Sequence, residues 1–140
     1  MTGAGAFRRS IQLNGYSCGA RSVFMIARHY GIRCTYREVV TQLQLTKEGT
    51  RVKRILQFFQ QHTLRVYRSS KMTLKELEKH LQQQAIILVH VDGDHFAVVY
   101  GMDDHFVYMA DPSIIRLFGR RITRERFKQR WTNWGVVVKR

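Results

Sequence analysis

A chain of 140 residues suits one domain, residues 1–140, and can bury roughly two-thirds of the surface its unfolded form exposes. Hydrophobic residues make up 44% and charged residues 24%, an ordinary globular balance that excludes a disordered or fibrous chain. Lys and Arg number 24 against 10 Asp and Glu, and this net charge of +14 attracts polyanions without choosing among nucleic acid, anionic lipid and acidic peptide.

The elements follow in chain order. Residues 1–7 are small and uncharged and precede Arg8 and Arg9, the reverse of a secretory signal, and no run approaches the ~20 apolar residues that span a bilayer. A cytosolic chain is the default, and it favours free thiols over a disulfide for Cys18 and Cys34. Ser17 can cap a helix over residues 18–30, with Val23, Ile26, Ala27 and Tyr30 on one stripe and Gly31 past its end. Thr35 and Glu38 form a capping-box pattern for a second helix that buries Tyr36, Val39, Val40 and Leu43. After Gly49, Thr50 can cap a third helix with Val52, Ile55, Leu56 and Phe59 inward. A short strand at 64–67 precedes a second capping box, Thr73 with Glu76, and a helix through Leu74, Leu77 and Leu81.

The second half reads as sheet. Residues 85–91 are continuously apolar, as in a strand covered on both faces. Asp92-Gly93 is a hairpin signal leading into a strand at 95–102, and a turn near Asp103-Asp104 leads into another at 106–110. A strand at 116–118, a basic helix capped by Thr123 and a last strand at 135–138 complete the chain. Helices first and an antiparallel sheet second make an α+β domain.

Cys18 stands at the start of the first helix, where partial positive charge and unpaired amide donors favour a thiolate and offer an N–H to an oxyanion. If paired positions of the hairpin around Asp103-Asp104 sum to 206 or 207, His95 lies opposite residue 111 or 112. Opposed residues sit roughly 5 Å apart, so Asp111 can hold the imidazole nitrogen that does not face Cys18. Cys34 reads as a small buried hydrophobe, and His90, inside an apolar strand, as a satisfied core residue. His29, His62, His80 and His105 have no such partner logic. No Cys-x-x-Cys and no helical His pair stands at ligand spacing, so no metal or cofactor is expected.

The segment QLNGYSCGA at residues 12–20, the apolar helix ending His29-Tyr30-Gly31, Gly49-Thr50, the block Asp94-His95-Phe96-Ala97-Val98-Val99-Tyr100-Gly101 and Ala110-Asp111-Pro112 occur in one order. Together they resemble the bacteriocin-processing cysteine peptidases, papain-like domains that cleave leader peptides after a double glycine. The resemblance covers nearly the whole chain. It implies a papain-like α+β fold, with the first-half helices packed on the second-half sheet. Cys18 matches the nucleophile, His95 the general base and Asp111 the orienting residue. Gln12 matches the glutamine whose side-chain amide joins the cysteine's N–H in the oxyanion hole. Two positions depart from the pattern. Ser17 stands where an acidic residue is common, and Arg21 enters a stretch that is usually small and apolar.

The resemblance further implies a bacterial cytoplasmic enzyme, a substrate with an acidic helical leader and an ABC-type export transporter as possible partner, with no nucleic acid and no membrane segment in this chain. Two other readings keep the architecture. One is a toxin or effector peptidase with a different protein target. The other is a non-catalytic basic binding module using Arg116, Arg120, Arg121, Arg124, Arg126, Lys128 and Arg130, a run that also reads as a solvated helix face.

Overall fold

The computed structural model describes Phe7, residues 16–112 and residues 120–140. Its elements are α1 (Cys18–His29), α2 (Tyr36–Leu43), α3 (Val52–Gln61), β1 (Arg65–Ser69), α4 (Leu74–Gln82), β2 (Ile86–Val91), β3 (His95–Met102), β4 (Phe106–Ala110), β5 (Arg121–Thr123), α5 (Arg124–Arg130) and β6 (Trp131–Lys139). The expected strand at 116–118 and Gln12 lie outside the described residues, and the last strand is longer than its apolar stretch suggests.

Local chemistry sets the helix ends. Both expected capping boxes form: Thr35 accepts from the Glu38 N–H and Thr73 from the Glu76 N–H, and each Glu reaches back to its cap. Thr123 caps α5 through the Arg126 N–H. Two expected caps differ. Ser17 occupies the N-cap of α1 without a side-chain capping bond, and Arg51, not Thr50, is the N-cap of α3. Gly31, at φ +77°, turns the chain so that the Ile32 N–H reaches the Ala27 carbonyl at 3.0 Å and closes α1.

The sheet is antiparallel throughout, with strand order β1-β6-β2-β3-β4-β5. Helices α1, α2 and α3 pack on one face, where Val23, Ile26, Val39 and Phe59 meet Ile86, Leu88, Val98 and Val136. Helices α4 and α5 cover the other, with Leu77, Leu81 and Phe127 against Ile87, Val89, Val99 and Val137. The unbroken apolar run of β2 follows from this double cover. The result is the α+β fold expected, with the helices divided between both faces of the sheet. The Tyr30 hydroxyl donates to the Val138 carbonyl at 2.7 Å, tying the C-terminal end of α1 to β6. That bond and the apolar stripe fix where the other end of α1 points.

Candidate active site

Cys18 opens α1, and the next residue shows why α1 can come so close to the sheet. A Cβ on Gly19 would lie 3.1 Å from Cδ2 of Phe96, tighter than ordinary contact, so glycine lets β3 cross directly over the first helical turn without displacing that ring. Phe96 follows His95, and the contact therefore delivers the imidazole to the thiol. Cys18 lies within hydrogen-bonding reach of His95. On the other side of the ring, Nε2 of His95 is 2.7 Å from Oδ1 of Asp111. With Nε2 so engaged, Nδ1 is the nitrogen left for Cys18.

Asp111 is fully buried and the His95 side chain is 18% exposed. Burial alone lowers the His95 pKa. Hydrogen bonds from the ring to Asp111 and Cys18, with the charges of both, overcome it and raise the value to about 9. An imidazolium held between two acidic groups is therefore the resident form at neutral pH.

The route to this geometry differs from simple hairpin arithmetic. The observed partners are Val98 with Ala110 and Val99 with Met109, then Gly101 with Tyr108 and Met102 with Val107. A bulge separates the two registers, so pairs sum to 208 and 209, not 206 or 207. Asp111 thus lies past the last pair, diagonal to His95, and its side chain spans the offset.

An open cleft of about 380 Å³ surrounds Cys18 and His95. One wall is the loop between α2 and α3, from Lys47 to Thr50, and the other is Asp94 of the β2–β3 turn with Phe96 at the start of β3. Gly49 in the first wall has φ +96°, the left-handed geometry its position requires. A larger cavity, about 540 Å³, lies at the far end of α1 beside His29, Tyr30 and Arg140. It has no cysteine in its lining, so the smaller cleft, which holds Cys18, is the candidate site.

His90 is a correction to the sequence reading. It is not a satisfied core residue but part of the cleft wall. Its ring lies flat on Trp134, centroids 4.0 Å apart at 13°, and meets Phe96 edge-on at 4.2 Å. Nε2 of His90 has no hydrogen-bond partner among the described residues. Burial, the largest effect, holds its pKa below the ordinary value. The hairpin pairs His90 with Phe96 and Val91 with His95, and that register was the signal that could have placed it. Trp134 carried no comparable signal.

Both cysteines are free thiols. No group of three or more His, Cys, Asp or Glu suited to a metal occurs among the described residues. No helix among them is long and apolar enough to cross a membrane. The basic run near the C-terminus is partly occupied. Arg124 pairs with Glu78 at 3.3 Å, Arg130 with Asp92 at 2.9 Å, and Arg121 lies over the Phe106 ring. Arg116 is outside the described residues.

The model of the peptidase C39 family matches residues 7–140. An uncharacterized protein of Methanothermobacter thermautotrophicus is 28% identical over 130 residues, covering 93% of this chain and 87% of that protein. An uncharacterized protein of Methanothermobacter marburgensis is 26% identical over 129 residues, covering 92% and 86%. Among solved structures, a double glycine motif protease from an AMS/PCAT transporter, in complex with the leader peptide, superposes with a TM-score of 0.80 at 19% identity, over 98% of this chain and 94% of that one. The peptidase domain of Streptococcus ComA, a bi-functional ABC transporter involved in a quorum sensing pathway, gives 0.79 at 20% identity, over 95% and 98%. At those identities the two structures speak for the fold alone.

Proposed function

We infer, from the premise that this chain belongs to the peptidase C39 family, that it is a cysteine endopeptidase using Cys18, His95 and Asp111 to cut after a double glycine in the leader of a precursor peptide. The observation that carries the reading is the alignment of three groups: the Asp111 carboxylate 2.7 Å from Nε2 of His95, and Cys18 within reach of the same ring at the head of α1.

The chemistry is acyl transfer. The Cys18 thiolate attacks the carbonyl carbon of the second glycine, and a carbon–sulfur bond forms as the carbon–nitrogen bond breaks. The His95 imidazolium gives its proton to the leaving amine. Water then attacks the thioester, His95 takes a proton from it, and the carboxylate product leaves the thiolate regenerated beside the imidazolium. Asp111 holds the ring so that one nitrogen always faces the reacting atoms. The developing oxyanion is met by the Cys18 N–H at the head of α1 and, in this reading, by the side-chain amide of Gln12.

Two further features support the substrate class. Phe96 closes on Gly19 immediately beside the thiol, and substrate residues without a Cβ are the ones that could lie closest to that crossing. A second cavity lined by Leu43, Gln44, Arg51 and Arg54 shares Glu48, Gly49 and Thr50 with the cleft. Its arginines and the net charge of +14 suit an acidic helical leader. An ABC-type export transporter is the partner carried over from the ComA domain, and a cytoplasmic location goes with it.

The test is digestion of synthetic acidic leader peptides bearing paired glycines, with products identified by mass. Cleavage after the second glycine that disappears in Cys18→Ala supports the reading. Cleavage confined to unrelated proteins would replace the substrate, and no cleavage of either kind would remove the enzyme.

A further inference from the structure

The ten carboxylates of this basic chain are unevenly employed. Glu38 and Glu76 close capping boxes, Glu78 and Asp92 pair with arginines, Asp103 accepts the Tyr108 hydroxyl, and Asp111 holds His95. The other four, Glu48, Asp94, Asp104 and Glu125, have no hydrogen bond or ion pair among the described residues. Two of these four line the cleft that holds Cys18. Glu48 has the adjacent Lys47 to offset it on the same wall. Asp94, on the opposite wall, has no Lys or Arg next to it in the chain.

The two imidazoles beside Asp94 among the described residues are committed or uncharged. The charge of His95 is answered by Asp111 and Cys18. His90 is close enough to feel the charge of Asp94, yet burial, which outweighs that attraction, keeps its imidazole neutral. An exposed carboxylate thus faces the cleft beside an uncharged aromatic wall made by His90, stacked on Trp134, and Phe96.

Chemistry sets the direction of the chain across this wall. The group that protonates the leaving amine is His95, so the residue following the scissile bond lies on the His95 side, and Asp94 immediately precedes His95. We propose, resting on the peptidase reading above, that Asp94 is a specificity-determining residue whose carboxylate, with the aromatic wall of His90 and Phe96, selects a Lys or Arg side chain on the leaving-group side of the cleaved bond. The wall takes the aliphatic stem and the carboxylate takes the charged end.

The experiment compares double-glycine leader peptides that differ only in carrying Lys or Glu after the second glycine. An exposed pair of this kind gives a Lys-over-Glu preference in kcat/KM of about three- to tenfold at low salt, shrinking as salt is added. Asp94→Asn is expected to bring the ratio near one and Asp94→Lys to invert it. Asp104→Asn, which removes an exposed carboxylate outside the cleft, is expected to keep it. No preference in the native chain, or a preference that survives Asp94→Asn, overturns the proposal.

A second readout needs no substrate. Cys18 is labelled with a trimethylammonium and with a sulfonate methanethiosulfonate reagent, and its modification is separated from that of Cys34 by peptide mapping. Asp94→Asn should lower the cation-to-anion rate ratio at Cys18 severalfold while Asp104→Asn leaves it in place. If no double-glycine peptide is cut, the substrate reading falls, and this ratio still decides: a drop confined to Asp94→Asn upholds the cationic subsite, and an unchanged ratio overturns it.

Discussion

Cys18 and Cys34 are both free and partly buried, and the difference between them lies in their neighbours. Cys34 lies between α1 and α2 and packs against the apolar cluster under them. Burial pushes its thiol pKa up, and the nearby Glu38 carboxylate pushes it further the same way. Cys18 opens a helix, faces an imidazole within hydrogen-bonding reach, and borders an open cleft. One thiol is surrounded by groups that oppose its ionisation, the other by a helix head and an imidazolium. A cysteine becomes a candidate nucleophile through what the fold carries to it, here the start of β3.

The largest effect that sharpens this contrast is deletion of each thiol. Cys18→Ala is expected to lower turnover of a cleavable peptide by about five to six orders of magnitude, while Cys34→Ala stays within a few-fold of the native rate. Loss of activity in Cys34→Ala with an unchanged fold by circular dichroism would erase the distinction. Next comes the orienting carboxylate. Asp111→Asn keeps the shape but removes the charge that fixes the ring, and steady-state kinetics should show kcat reduced about 10⁴-fold.

The Gly19–Phe96 approach gives a smaller effect. Gly19→Ala pushes Phe96, and His95 with it, away from Cys18, which should cost up to about 10²-fold in kcat. The same overpacking is expected to cost about 1–3 kcal/mol of stability, readable by urea titration. A variant with native kcat would show that the close crossing is packing alone.

The smallest effect is a pH dependence of stability. The folded-state pKa of His95, about 9, lies above its unfolded value of 6.5, so folding favours the protonated ring. This contribution is complete below pH 6.5, where both states are protonated, and is lost as pH rises from 6.5 through about 9. Thermal melts across that window should show a fall in Tm that is absent in His95→Ala.

Much of the frame was legible in the residues. Thr35 with Glu38 and Thr73 with Glu76 announced helix starts because a capping box is a local hydrogen-bond arrangement. Asp92 and Gly93 announced the hairpin because both adopt positive φ. The separation of Asp111 from His95 was less well given, since the bulge between Val99 and Gly101 shifts the register and no residue type there signals it. His90 was misjudged because an apolar strand was read for its faces and not for its pairing. Its partner Phe96 stands next to the candidate base, and that neighbourhood exists only once β2 and β3 are zipped together. Thr50 was assigned to a helix cap that Arg51 occupies, and it lines the cleft instead.

The coupling of Cys18 to His95 is tested most directly by iodoacetamide labelling of the two cysteines across pH, in the native chain and in His95→Ala, with each site resolved by peptide mapping. The account predicts that Cys18 reacts much faster than Cys34 in the native chain and that His95→Ala slows Cys18 sharply and changes its pH profile, while Cys34 labels slowly in both. A Cys18 profile that coincides with that of Cys34, or that is unchanged in His95→Ala, would contradict it.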